Sequence, residues 1–179
     1  MYQEIFMRRA IELSARALSE EGTEPFGAVI VKDGRIVGEG LNHSLAHFDP
    51  TSHGEVEAIR DACSRLRCVE LSGCELYTSC EPCALCAATI SIVGIARMYY
   101  AATMSQVGRA FAQLTPAERH PIDTERLRSE AGALVENRKM PAEKRLDGEA
   151  AAILETWAAQ RKADSRERHD RDAAKGQKA

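Results

Sequence analysis

Two short clusters of residues that can bind metal or carry protons stand out in the sequence. The first is His53-Gly54-Glu55, and the second is Pro82-Cys83-Ala84-Leu85-Cys86. One imidazole and two thiolates are ligands that zinc prefers, and three protein ligands leave the fourth tetrahedral position for water. Zinc lowers the pKa of such a water toward ~7. The two clusters together therefore predict a zinc site that supplies hydroxide at neutral pH.

The spacing within each cluster assigns a role to each residue. Cys83 and Cys86 are three apart in the sequence, so one face of a helix can direct both thiols at the same ion. A helix N-terminus also lowers the pKa of a thiol. Glu55 follows His53 by two residues and is placed to take a proton from water and to deliver it to a leaving group. We predict His53, Cys83 and Cys86 as the ligands of one zinc ion and Glu55 as the catalytic acid–base.

Both clusters are predicted to lie where a helix begins. Apolar spacing predicts helices over residues 5–18, 53–66 and 82–93, the last with Pro82 where its missing N–H costs least. Strands are predicted over 26–31, 36–41, 75–79 and 98–102, the first two joined by a hairpin turn at Asp33-Gly34. Helical patterns follow over 106–114, 124–135 and 143–161.

This order of elements predicts the fold class and the organisation of the chain. Strands separated by helices after an opening hairpin predict a three-layer α/β/α sandwich with a mixed central sheet of about five strands. We expect one domain over residues 1–162, with its core at 6–102 and a helical C-terminal part at 103–162. Residues 163–179 are almost entirely polar and charged, which predicts a disordered tail.

The composition of the chain argues against nucleic acids and membranes as partners. The net charge of −3 lacks the basic field that a nucleic-acid binder uses, so we expect no nucleic-acid partner. No stretch has the ~20 apolar residues of a membrane span, and the N-terminus lacks a signal-peptide pattern, so we expect a cytoplasmic protein without a membrane partner. In that reducing compartment the six clustered cysteines favour metal or catalytic use over disulfides.

The sequence resembles the cytidine and deoxycytidylate deaminase superfamily, which the combination of the two clusters characterises. The likeness covers roughly residues 6–102. It is strongest to the branch with guanine deaminase, yeast-type cytosine deaminase and bacterial tRNA adenosine deaminase, in residues 25–34 (PFGAVIVKDG), 49–60 (DPTSHGEVEAIR) and 76–83 (LYTSCEPC). The resemblance implies a zinc-dependent hydrolase that removes an exocyclic amino group from a nucleobase-type ring, and the cytidine deaminase-like fold.

The resemblance also implies substrate contacts. Asn42 would hydrogen-bond a ring carbonyl or ring nitrogen, Phe26 would pack against the base, and the backbone N–H of Gly54 would face the substrate. Residue 54 is often alanine in the family, and glycine preserves the backbone contact. Family members of this branch are usually homodimers or larger, so a homodimer is expected.

The resemblance favours guanine as the substrate, with water as co-substrate and xanthine and ammonia as products. Two departures lie in the C-terminal third. Guanine deaminases of this type carry an acidic Phe-Asp-Asp segment after the fourth strand, where residues 109–113 here read RAFAQ, and they end in an aromatic-rich tail. Other substrates therefore stay open: the enzyme could deaminate cytosine, a nucleoside, a pterin or a triazine. Deamination of adenosine in tRNA also stays open.

A non-enzymatic alternative depends on Cys80. Cys80 precedes Cys83 by three residues and could complete a closed, structural zinc site with four protein ligands. Because Cys80 lies at the end of a predicted strand, before Pro82, the sequence favours the open site.

Overall fold

The centre of the fold is a mixed sheet of four strands. The computed structural model describes residues 1–119 and 122–176, with side chains of the last helix up to residue 168. The strands are β1 (Glu24–Lys32), β2 (Arg35–Asn42), β3 (Glu75–Cys80) and β4 (Arg97–Ala102), in the order β2-β1-β3-β4. β1 is antiparallel to both β2 and β3, whereas β3 and β4 are parallel. The mixed sheet is confirmed.

The hairpin and the strand count follow from local sequence. Asp33 and Gly34 both have positive φ, 50° and 71°, as a two-residue turn between twisted strands requires. About five strands were expected, and the described residues form four. The chain after β4 forms helix α4 (Met104–Phe111) instead of another strand, because Thr103 and Gln106 build a capping box that starts a helix.

Helices cover both faces of the sheet, so the predicted three layers are confirmed. Helix α1 (Glu4–Ala15), followed by a 3-10 turn at Arg16–Leu18, packs against one face. Helices α2 (Gly54–Leu66) and α3 (Ala84–Ile92) pack against the other. Side chains alternate along β1, so odd and even positions join different apolar clusters. The α1 cluster contains Phe6, Met7, Leu13, Val29, Val31 and Tyr77, and the other contains Ala28, Ile30, Ala58, Ile59, Ala62, Leu76 and Ile90.

The chain forms two compact units, Met1–Gly132 and Ala133–Ala179. The first unit ends with helix α5 (Thr124–Gly132). The second contains a 3-10 turn at Val135–Asn137 and helix α6 (Asp147–Gly176). The single domain over residues 1–162 that the sequence suggests stays a prediction. No described helix is long and apolar enough to cross a membrane.

The tail predicted to be disordered from residue 163 is helical up to Gly176, and residues 177–179 lie outside the described part of the chain. Its composition explains the difference, because alanine, arginine, lysine and glutamate are strong helix formers even where no apolar stripe exists.

Helix α2 lies unusually close to strand β2 because glycines face it. A Cβ on Gly40 would come within 2.1 Å of the Gly54 carbonyl oxygen and 2.3 Å of the Ala58 nitrogen. A Cβ on Gly38 would come within 2.3 Å of the Ala58 carbonyl oxygen. These contacts are with backbone, which cannot rotate aside. Glycine at both positions therefore sets the distance of α2 from the sheet.

We expect Gly40→Ala to destabilise the protein by about 2–3 kcal/mol, because the added methyl must push the first turns of α2 off the sheet. Urea unfolding followed by circular dichroism measures the change. Gly108→Ala is the matched control, since no heavy atom lies within 4 Å of the added methyl and alanine favours a helix. An unchanged free energy of unfolding in Gly40→Ala contradicts the packing argument.

Candidate metal centre and substrate pocket

Two helix N-termini bring the three proposed metal ligands together. His53 is the N-cap residue of α2 and Cys83 is the N-cap residue of α3, both with extended backbone. Cys86 lies in the first turn of α3 and is buried. Because β2 and β3 both run antiparallel to β1, they end at the same edge of the sheet, and α2 and α3, which follow them, start there. The two clusters, separated in sequence, therefore meet.

The distances between the three donor atoms fit one zinc ion. The Cys83 Sγ atom lies 3.6 Å from His53 Nδ1 and 3.7 Å from Cys86 Sγ, and Cys86 Sγ lies 3.4 Å from His53 Nδ1. A tetrahedral zinc ion with Zn–S of ~2.3 Å and Zn–N of ~2.0–2.1 Å holds its ligand atoms ~3.5–3.8 Å apart. The triangle therefore has the size and the donor chemistry of a zinc site.

Hydrogen bonds among these residues favour a thiolate. The pKa of Cys83 falls to about 4, chiefly because of its side-chain hydrogen bond with Cys86, and the hydrogen bond with His53 adds to the effect. The hydrogen bond to Cys83, together with burial, raises the pKa of Cys86. The same contact with Cys83 raises the pKa of His53. The Cys83 thiolate thus supplies a negatively charged ligand atom, which suits a divalent cation.

Glu55 lies beside the ligand triangle and is buried, with 5% of its surface exposed. Its Oε2 atom accepts a hydrogen bond from the Cys86 thiol at 3.4 Å, and its Oε1 atom accepts one from the Thr78 hydroxyl at 3.3 Å. Burial raises the pKa of the Glu55 carboxyl. Because its pKa is raised, this carboxyl holds a proton more readily than an exposed one, which suits a residue that carries protons in general acid–base catalysis.

Cys80 does not join the ligand triangle. The group of possible metal ligands found among the described residues consists of His53, Cys83 and Cys86. Cys80 is buried at the end of β3, and burial raises the pKa of its thiol to about 11. This geometry supports the open site over the closed structural alternative.

The ligand triangle opens into a cavity of about 180 Å³. Of the residues predicted to contact substrate, Asn42 and Phe26 line this cavity. Gly54 does not line it. A Cβ at position 54 would lie 2.3 Å from the Phe26 carbonyl oxygen, so the alanine that is frequent in the family does not fit here without a shift of β1 or α2. The cavity also has an apolar wall from the chain after β4, formed by Met104, Val107, Phe111 and Ile122.

Among the pocket residues that the sequence did not predict, three form one connected group: Glu24, Phe111 and Arg119. The Arg119 guanidinium donates to both Glu24 carboxylate oxygens, at 2.8 and 3.3 Å, and lies 4.6 Å from the Phe111 ring centre. The Phe111 ring in turn meets the Phe26 ring edge to face at 6.1 Å. Glu24 and Arg119 are 95 residues apart, and no local pattern signals such a contact.

Comparisons of the sequence with a family profile and with known proteins agree on one family. The profile described as "Cytidine and deoxycytidylate deaminase zinc-binding region" matches residues 1–102. Guanine deaminase of Bacillus subtilis is 44% identical over 110 residues, which are 62% of this chain and 70% of that protein. A tRNA-specific adenosine deaminase of Agrobacterium fabrum is 36% identical over 148 residues, 79% of this chain and 95% of that protein.

A solved structure extends the likeness to the fold. The X-ray structure of guanine deaminase from Bacillus subtilis superposes with a TM-score of 0.76 at 34% identity, covering 89% of this chain and 95% of that one. The similarity in fold therefore reaches beyond the matched family region.

We expect Cys86→Ser to lose most of its zinc and Cys80→Ser to keep about one zinc per chain, because only the first removes a corner of the ligand triangle. Elemental analysis of the purified, dialysed proteins measures the metal content. Zinc loss in Cys80→Ser would instead support a closed site with four protein ligands.

Proposed function

The chain belongs to the cytidine and deoxycytidylate deaminase family, and we propose that within this family of zinc-binding hydrolytic deaminases its substrate is guanine. The family resemblance inferred from the sequence is thereby confirmed, as is zinc as the cofactor. The proposed reaction converts guanine and water to xanthine and ammonia. A small-molecule nucleobase is the corresponding partner.

One observation carries this proposal: Glu55 and the ligand triangle lie at one end of a cavity whose walls hold Asn42 and Phe26. An amide and an aromatic ring are the groups that recognise a flat heterocycle, since the amide contacts the ring edge and the aromatic ring its face. The likeness to a guanine deaminase over most of the fold favours guanine among such rings.

In the proposed mechanism His53, Cys83 and Cys86 would hold the zinc ion. Zinc, when bound, would make water acidic enough to attack at neutral pH. Glu55 takes a proton from the attacking water and delivers it to the departing amine. The oxygen of water becomes bonded to the ring carbon as the carbon–nitrogen bond breaks, and ammonia leaves. The Thr78 hydroxyl, which donates to Glu55 Oε1, holds the carboxyl in place.

The substrate is held by residues of the sheet and of the chain after β4. The Asn42 amide, 2% exposed, presents its polar group inside the cavity. Phe26 and Phe111 supply aromatic surface. The apolar side chains of Met104 and Val107 exclude water from the reacting group, which strengthens the electrostatic interactions inside. A homodimer and a cytoplasmic location stay predictions.

A second candidate function is deamination of adenosine in tRNA. The observation that favours it is the Agrobacterium fabrum relative, which the alignment covers almost completely. The net charge of −3 favours a small molecule instead, because phosphate contacts require a basic surface.

Ammonia release by the zinc-loaded protein tests the substrate. The panel is guanine, adenine, cytosine, their nucleosides, a pterin, an aminotriazine and unmodified tRNA. We expect guanine to have the highest kcat/KM. Faster turnover of another ring identifies that ring as the substrate, and salt-sensitive conversion of tRNA establishes the second candidate.

We expect Glu55→Gln to keep its zinc and to lose at least about a thousandfold in kcat, since the amide cannot carry the proton. Zinc content and ammonia release, measured on the same preparation, separate catalysis from metal binding. Cys80→Ser serves as the control for a conservative change in a buried pocket residue. Turnover near the wild-type rate in Glu55→Gln would exclude the proposed proton transfer.

A further inference from the structure

The Asn42 side chain is held at both ends of its amide. Its Oδ1 atom accepts a hydrogen bond from the Ser44 backbone N–H at 2.9 Å, and its Nδ2 atom donates to Glu24 Oε2 at 3.4 Å. A backbone N–H only donates and a carboxylate only accepts. A flip of the amide would set donor against donor and acceptor against acceptor. The orientation of Asn42 is therefore fixed by its two partners.

This orientation decides which group Asn42 offers to a ligand. Its carbonyl oxygen is engaged with Ser44 on the protein side. The Nδ2 group has two hydrogens, and Glu24 accepts one of them. Asn42 lines the cavity, and its second N–H can donate to a bound ring. The complementary ligand atom is an acceptor, such as a ring carbonyl oxygen.

Arg119 determines the charge beside this N–H. Its guanidinium donates to Glu24 Oε1 at 2.8 Å and to Glu24 Oε2 at 3.3 Å, so it pairs with the carboxylate side-on. The pair is sheltered, with side-chain exposures of 21% for Arg119 and 17% for Glu24. Without Arg119, the negative charge of the Glu24 carboxylate would be unbalanced. The carboxylate would then repel a carbonyl oxygen that is bound next to Asn42.

Aromatic contacts keep Arg119 in position. Its guanidinium lies 4.6 Å from the Phe111 ring centre and 5.9 Å from the Phe26 ring centre. A guanidinium over a ring face is attracted by the π system. The wall of the pocket that follows α4 is thus tied to β1 by one ion pair and two rings.

We propose that the Glu24–Arg119 ion pair determines substrate specificity by positioning the Asn42 amide, so that the pocket selects a neutral ring with a carbonyl group. Both members act as positioning residues through Asn42. The inference rests on the proposed function for the type of ring, and it specifies the part of the ring that the pocket recognises.

Two ligands that cannot be deaminated distinguish the specificity role of the ion pair from a general effect on folding. A specificity role changes the binding of one ligand, whereas a folding defect weakens both. Hypoxanthine carries the ring carbonyl and lacks the exocyclic amine, whereas purine lacks both. Titration calorimetry on the zinc-loaded full chain gives the Kd of each. We expect the wild-type protein to bind hypoxanthine more tightly than purine. In Arg119→Ala we expect binding of hypoxanthine to weaken about tenfold and that of purine less than about twofold.

Two further variants complete the design. Arg119→Lys keeps the positive charge without the side-on geometry and should restore part of the preference for hypoxanthine. Arg9→Ala is the matched control, because Arg9 forms a similar two-bond pair with Glu39, at 2.8 and 2.9 Å, and neither residue lines the cavity. We expect it to leave both Kd values unchanged. Circular dichroism of each variant monitors folding.

Kinetics on guanine provide a second measure. We expect Arg119→Ala to raise KM about tenfold and to change kcat less than about threefold, since the pair does not touch the reacting atoms. Equal weakening of hypoxanthine and purine, or an unchanged preference in Arg119→Ala, overturns the inference.

The proposed function and the specificity role of the ion pair can fail independently of each other. Wild-type protein that selects hypoxanthine but releases no ammonia from guanine leaves the inference standing and removes guanine as the substrate. Wild-type protein that turns over guanine without preferring hypoxanthine keeps guanine and removes the specificity role. Wild-type protein that binds neither ligand and does not turn over guanine removes both.

Discussion

The close backbone contact between helix α2 and the sheet is the constraint on which the site depends. Gly40 on β2 leaves room for the first turns of α2, and Gly54 at the start of α2 lies against the Phe26 carbonyl. A side chain at either glycine would move the helix away. Because His53 caps that helix and Glu55 lies in its first turn, the same contact places a metal ligand and the acid–base residue at the sheet edge, where α3 begins.

Burial and hydrogen bonding then give these groups their chemistry. The Glu55 carboxyl has its pKa raised because it is removed from water, whereas the Cys83 thiol has its pKa lowered by its hydrogen bonds with Cys86 and His53, against the effect of burial. The two shifts have opposite signs within one site. One residue is thus suited to carry a proton and the other to bind a cation.

The far wall of the pocket has a different origin. It comes from the chain after β4, beyond the matched family region, and it reaches β1 through the pair of Arg119 with Glu24. In the proposed function the core supplies the reaction, and this wall contributes to the choice of ring. The chain is similar both to a guanine deaminase and to a tRNA-specific adenosine deaminase, as expected of a fold that hosts different substrates.

The sequence by itself determined the zinc-binding clusters, the family and the layer order, because ligand spacing, helix starts and apolar periodicity are local properties that a linear pattern records. About five strands were expected and the described sheet has four, and residues 163–176 are helical. Only the tertiary structure decided that Cys80 stays outside the ligand triangle, that the Asn42 amide has Glu24 as a partner, and that Glu24 pairs with Arg119. The place of Cys80 depends on how β3 and α3 are oriented, and the contacts of Glu24 join residues that are 18 and 95 apart, so no spacing in the sequence encodes them.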